Sequence, residues 1–89
     1  MRRVRPLGGY KKDLKRLSKR GWDLDKLWAM VSLIQDDQPL PANAQPHKLG
    51  GEYAGLWECH IESDWLLVYN VIEEEILLSR TGTHADLFE

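Results

Sequence analysis

The sequence predicts an α+β fold with the element order β-α-α-β-β-β, a four-stranded antiparallel sheet carrying a helical hairpin on one face. Three observations lead there. Two stretches with apolar residues at helical spacing follow each other on either side of Gly21. Three strand-like runs then fill the second half of the chain, from Leu56 to Arg80. A short extended segment, Met1 to Arg5, precedes them all and is closed by Pro6.

Each element has its own signal. Behind Pro6, the pair Gly8-Gly9 offers a flexible break. Tyr10, Leu14 and Leu17 recur at helical spacing, with lysine and arginine on the opposite face. Arg20-Gly21 ends that helix, placing cations in its last turn and glycine beyond them. Asp23 is a good cap for a second helix, with Trp22 and Leu27 spaced as a hydrophobic staple around it. Leu24, Leu27, Trp28, Val31 and Ile34 form the stripe expected to be buried. The segment from Asp36 to Gly51 reads as a linker, rich in proline and closed by Gly50-Gly51; its length hints at function. From Leu56 to Glu62 the chain alternates, with Trp57, Cys59 and Ile61 on one face and Glu58, His60 and Glu62 on the other. Trp65 to Val71 is nearly all apolar, as in a central strand. Glu73-Glu74-Glu75 is an acidic turn, and Ile76 to Arg80 the last strand.

The 89 residues form one domain, 1–89, close to the lower size limit for unaided folding. Four tryptophans and three tyrosines supply the apolar area for one core. The single cysteine, Cys59, excludes an intrachain disulfide and points to a reducing compartment. No apolar run approaches the roughly 18 residues that span a bilayer, and none follows the basic start of the chain as a secretory signal would. A soluble, cytoplasmic protein without membrane contact is the expectation. The net charge of −2 hides a segregation. Residues 1–20 hold nine Lys and Arg against Asp13 alone, whereas the rest of the chain is strongly acidic. One basic face can therefore meet phosphate, although such a helix face can equally be no more than solvated surface.

The chemistry-bearing residues gather late in the chain. His60-Ile61-Glu62-Ser63-Asp64-Trp65 precedes one apolar run, and Arg80-Thr81-Gly82-Thr83-His84 follows another, with Phe88 near the end. RNA can be cut without a metal if one group takes the 2′-hydroxyl proton, one neutralises the phosphoryl oxygens and one protonates the departing 5′-oxygen. Histidine can serve at either end of that relay and arginine in the middle, while an aromatic ring can stack on a base.

The pair of motifs H-x3-D-W and R-T-G-T-H resembles the YafQ branch of the RelE/ParE toxin superfamily. Lys11 to Leu17 and His47-x-Leu49-x-Gly51 extend the likeness over nearly the whole chain. The resemblance implies the RelE/ParE-like fold and a site made of His47, His60, Asp64, Arg80, His84 and Phe88, with Trp65 nearby. It implies a type II toxin that enters the ribosomal A site and cuts translated messenger RNA. In that reading His84 is the general acid, Asp64 or His60 the general base, and Arg80 the phosphate clamp. His47 adds a proton carrier or phosphate contact, and Phe88 orients a base. Trp65 is counted with the residues that contact the message, and Lys11, Lys12, Lys15, Arg16 and Lys19 would meet ribosomal RNA. The implied partners are the 70S ribosome with its message and a RelB/DinJ-like antitoxin that folds on binding, with operator DNA reached only through the antitoxin. No cofactor is implied.

Each residue also has a plainer explanation. His60 and His47 could be surface polar groups, Arg80 could pair with an acid such as Asp86, and Phe88 could plug the core. Trp65 and Cys59 look mainly structural. Three histidines with Asp64 could instead hold zinc, but no C-x2-C or H-E-x2-H spacing is present and Arg80 would repel the cation. Three features depart from the family pattern: Trp57 stands where an arginine is usual, Ser63 where a proline is, and Ala42 to Gln45 lack charge. Fewer cations weaken attraction to RNA. The alternative function is a RelE/ParE-fold binding module without nuclease activity, such as a gyrase-directed toxin, which would need no trio of histidines.

Overall fold

The computed structural model describes residues 1–88. The elements are β1 (Arg3–Pro6), α1 (Gly8–Lys19), α2 (Leu24–Gln35), β2 (His47–Lys48), β3 (Trp57–Glu62), β4 (Trp65–Ile72), β5 (Glu75–Gly82) and α3 (His84–Phe88). The α+β class and the helical hairpin on one face agree with the sequence reading. The sheet differs in two respects. It has five strands in the order β1-β5-β4-β3-β2, and β1 runs parallel to β5 while all other neighbours are antiparallel. The extra strand is the two-residue β2, inside the segment read as a linker, which also holds short 3-10 turns at Ala42–Ala44 and Gly51–Tyr53.

The helical hairpin forms as its sequence suggests. Asp23 caps α2 by accepting from the Asp25 amide at 3.1 Å. Leu17 of α1 and Leu27, Val31 and Ile34 of α2 are buried against Cys59, Leu67, Tyr69, Ile76 and Leu78 of the sheet. The predicted α2 stripe needs one exchange: Met30 is buried, and Trp28 stands 42% exposed. Burial pushes the Cys59 thiol up to about 12, which makes it an inert core residue.

The unbroken apolar character of β4 has a physical cause, because both its faces are covered. Trp65, Leu67 and Tyr69 meet the helices, while Leu66 and Val68 pack with Leu87 of α3 on the other face. Half-buried Leu49 and Leu56 complete that second, smaller core. It seats α3, and with it His84. No helix among the described residues is long and apolar enough to cross a membrane.

Candidate active site

Strand register assembles the site. His47 pairs with Glu58, Glu58 with Val68, and Val68 with Arg80, a row across four strands. His60 pairs with Leu66 and Leu66 with Gly82, a second row that ends two residues before His84. Side chains two apart on a strand share a face, so the alternation in β3 that set Glu58 and His60 together also aligns these rows.

His84 is the first residue of α3. Thr83 and Asp86 cap that short helix reciprocally. The Asp86 amide donates to Thr83 Oγ1 and the Thr83 amide donates to Asp86 Oδ2, both at 3.0 Å. Gly82 is required beneath them, because a Cβ there would lie 2.8 Å from Asp86 Oδ2.

The β3–β4 turn brings Asp64 to His84. Asp64 Oδ1 accepts from the His84 amide at 3.1 Å and lies 2.9 Å from Nδ1. These two hydrogen bonds hold the Asp64 carboxyl below its usual range. An ionised carboxylate only accepts, so Nδ1 carries a proton and Nε2 is left for a ligand. The His60 and His84 rings are 6.2 Å apart, and Phe88 lies 6.2 Å beyond His84. Phe88 is 39% exposed, which removes the core-plug explanation; Leu87 fills the core instead. Tyr53 meets Phe88 edge to face at 5.3 Å and donates to the Leu87 carbonyl at 3.3 Å.

His47, in β2, joins the same face through Glu58. Glu58 Oε1 is 3.4 Å from His47 Nε2 and 3.9 Å from His60 Nε2, and the carboxylate is nearly buried. The other His47 nitrogen lies 3.0 Å from the Gln45 carbonyl. Arg80 does pair with an acid, but the partner is Asp13 rather than the Asp86 side chain. Its Nε donates to Asp13 Oδ2 at 2.7 Å and its Nη2 to Oδ1 at 3.2 Å. That pairing raises the guanidinium pKa further above its already high value.

Two expected RNA contacts need correction. Trp65 is 2% exposed, stacks on Trp22 at 5.0 Å on the helical face and donates to Thr81 Oγ1 at 2.9 Å, so it braces β5 and cannot touch a substrate on the opposite face. Arg16 is engaged by Asp13 at 3.0 Å and Asp86 at 3.3 Å, which takes it out of the free basic surface. Lys11, Lys12, Lys15 and Lys19 are exposed as expected.

Four contributors were not placed in the site from the sequence: Asp13, Tyr53, Glu58 and Asp86. Signals existed for two of them. Asp13 falls three residues after Tyr10 and four before Leu17, on the buried stripe of α1. Thr83-His84-Ala85-Asp86 has the spacing of a capping box. Among the described residues no three His, Cys, Asp or Glu side chains converge as metal ligands. A surface concavity of about 300 Å³ lies between Arg2, Ile34, Leu40 and Trp57, and no candidate residue lines it.

A helical hairpin on one face of a mixed sheet, with histidines, a paired aspartate and an arginine gathered across the other, defines a RelE-like protein. The comparisons narrow the class. Residues 2–89 match the family described as a bacterial toxin of a type II toxin–antitoxin system, YafQ. The mRNA interferase toxin YafQ of Escherichia coli K12 is 43% identical over 82 residues, covering 91% of this chain and 89% of that protein. The crystal structure of YafQ from E. coli BL21(DE3) superposes with a TM-score of 0.92 at 34% identity, covering all of both chains. The toxin chain in the E. coli DinJ–YafQ toxin–antitoxin complex matches at 0.89 and 38% identity, over 99% of this chain and 98% of that one. The chain belongs to the YafQ family of type II toxins.

Proposed function

We propose that the protein is an endoribonuclease toxin that enters the ribosomal A site and cuts translated messenger RNA by acid–base transesterification. The observation that carries this is the Asp64–His84 pair, which engages Nδ1 and leaves Nε2 available, with the His60 ring centroid 6.2 Å from that of His84. The names of its relatives, mRNA interferase toxins, point the same way.

Each step has a residue. His60 takes the proton of the 2′-hydroxyl, whose oxygen then attacks the neighbouring phosphorus. Arg80 and nearby N–H groups neutralise charge growing on the phosphoryl oxygens. His84 delivers its Nε2 proton to the departing 5′-oxygen, leaving a 2′,3′-cyclic phosphate and a 5′-hydroxyl. Asp64 orients His84 and stabilises the imidazolium; because it is held ionised by that bond, it suits this task better than that of base. His47, held beside Glu58, is a second proton carrier or phosphate contact. Phe88, braced by Tyr53, stacks on a base. Lys11, Lys12, Lys15 and Lys19 contact ribosomal RNA electrostatically.

The partner that restrains the toxin is a cognate antitoxin of the RelB/DinJ kind, and operator DNA is bound only through it. The complex of a relative with DinJ supports this reading. The test is cleavage of a defined message on programmed ribosomes, mapped to the nucleotide, with naked message alongside. The toxin is stripped with a chelator and desalted before use. Cuts in A-site codons that need the ribosome and survive metal removal are expected. Intact message together with growth arrest in cells would overturn the reading in favour of a gyrase-directed toxin.

A further inference from the structure

We infer that Asp13, on the helix opposite the proposed chemistry, is a positioning residue that aims Arg80; this rests on the nuclease reading above. Asp13 is 1% exposed in a helix otherwise rich in cations. Its Oδ2 accepts from Arg80 Nε at 2.7 Å and from the Thr81 amide at 3.0 Å. Its Oδ1 accepts from Arg80 Nη2 at 3.2 Å and from Arg16 Nη2 at 3.0 Å. One carboxylate therefore fixes the guanidinium, the backbone just after it and a neighbouring cation.

The strand needs such a fastener at this level. Val68 pairs with Arg80 and Tyr69 with Leu78, so Ser79 is an extra residue, a bulge in β5. A bulge bends a strand and re-aims the side chain beside it. The Thr81 amide bond to Asp13 fixes the backbone on one side of Arg80. On the other side α1 approaches closely: a Cβ on Gly9 would lie 2.9 Å from Arg80 Cδ and 3.3 Å from the Ser79 carbonyl oxygen. Arg80 is thus walled at its methylenes by Gly9 and gripped at its head by Asp13.

The grip leaves donors available. Asp13 engages Nε and Nη2, and among the described residues Nη1 has no hydrogen-bond partner. A guanidinium carries five N–H groups, so the held edge still permits phosphate contact from the other edge. Asp13 offsets part of the positive charge and in exchange holds its direction. Asp86 extends the same splint. It takes both guanidinium branches of Arg20, at 2.8 and 2.9 Å, while capping the helix that carries His84. The groups proposed for phosphate neutralisation and for proton delivery are thereby referenced to the same helix, α1.

The test is single-turnover cleavage of ribosome-bound message by wild type, Asp13→Asn, Arg80→Ala and the double variant, with ribosome affinity and thermal melting measured in parallel. A displacement of about 1 Å can cost on the order of 100-fold in rate. Asp13→Asn is expected to slow cleavage at saturating toxin by about 10- to 100-fold while ribosome affinity changes by less than about 2-fold. Because it acts through Arg80, it should slow the Arg80→Ala protein no further. Gly9→Ala leaves the Asp13 carboxylate in place but crowds Arg80 at its methylenes, and it too should slow cleavage if Asp13→Asn does not fold. Wild-type rates per folded molecule in both variants, or a full additive loss in the double variant, would overturn the inference and leave the nuclease reading intact. A wild-type protein that cuts nothing would overturn that reading, and the inference with it.

Discussion

The two flanks of the proposed site are built differently. Toward α1, the carboxylates are almost covered, Asp13 at 1% and Asp86 at 12% exposure, and each bonds several partners from separate elements. Toward the β3–β4 turn and β2, Asp64, His84 and His47 are all more than half exposed. Asp64 and His84 bond one another, and among the described residues the polar partners of His47 are Gln45 and Glu58. In the proposed mechanism the first flank fixes direction and the second leaves proton carriers accessible. A site that must both aim a phosphate contact and exchange protons with an incoming polymer needs both kinds of construction.

That contrast predicts which substitutions damage activity and which damage the fold. The largest effect should come from the open flank. His84→Ala should lower the single-turnover cleavage rate by roughly 100- to 10,000-fold, the usual range for a general acid. The melting temperature should barely move, since the ring is exposed. A melting temperature that fell with activity would show His84 to be structural.

On the held flank the order reverses, with stability affected as well as rate. Asp13→Ala leaves the buried Thr81 amide without its acceptor, a loss of about 1–3 kcal/mol. Denaturant unfolding would reveal it, and an unchanged midpoint would contradict the built character of this flank. Trp65→Phe removes the indole bond to Thr81 Oγ1 and leaves a gap where the larger ring sat. It should cost about 2 kcal/mol in the same assay and leave ribosome binding intact.

Acid conditions isolate the contribution of Asp86. The hydrogen bond from Arg20 holds its carboxyl well below the usual carboxylate range, although Arg20 itself is solvent-exposed, so salt weakens the pair. A folded-state pKa below the unfolded one adds stability that is complete above about pH 4 and is lost as the pH falls toward the folded value. Acid titration of stability should therefore show a shallower decline below about pH 4 in Asp86→Asn than in wild type. Parallel acid limbs would remove Asp86 from the account.

Much of the fold beneath this contrast could be anticipated from the sequence, because periodicity reports faces. The alternation of β3 separated His60 and Glu58 from Cys59, and the apolar run of β4 marked a strand covered on both sides. The parallel pairing of β1 was hidden, since a four-residue strand without a buried face carries no pattern that selects a direction. At two residues, β2 is too short for any period, and α3 at five holds little more than one turn. The three histidines, Asp64 and Arg80 were found as residue types at a familiar spacing. Their division of labour was not, because it depends on contacts between Asp13 and Arg80, 67 positions apart, and between Arg20 and Asp86, 66 apart. Trp65 shows the complementary error. It closes the H-x3-D-W motif, yet as the first residue of β4 it faces the helices, opposite its strand neighbour Leu66.

The most direct check of the central claim is a message carrying a single 2′-deoxynucleotide just 5′ of the cleaved bond, presented on programmed ribosomes. Without that hydroxyl there is no internal nucleophile for His60 to activate. The account predicts that cleavage at the site disappears, while the all-ribose message is cut to a 2′,3′-cyclic phosphate and a 5′-hydroxyl. Cleavage of the deoxy-substituted message at an undiminished rate would contradict it, since water would then have to be the attacking group.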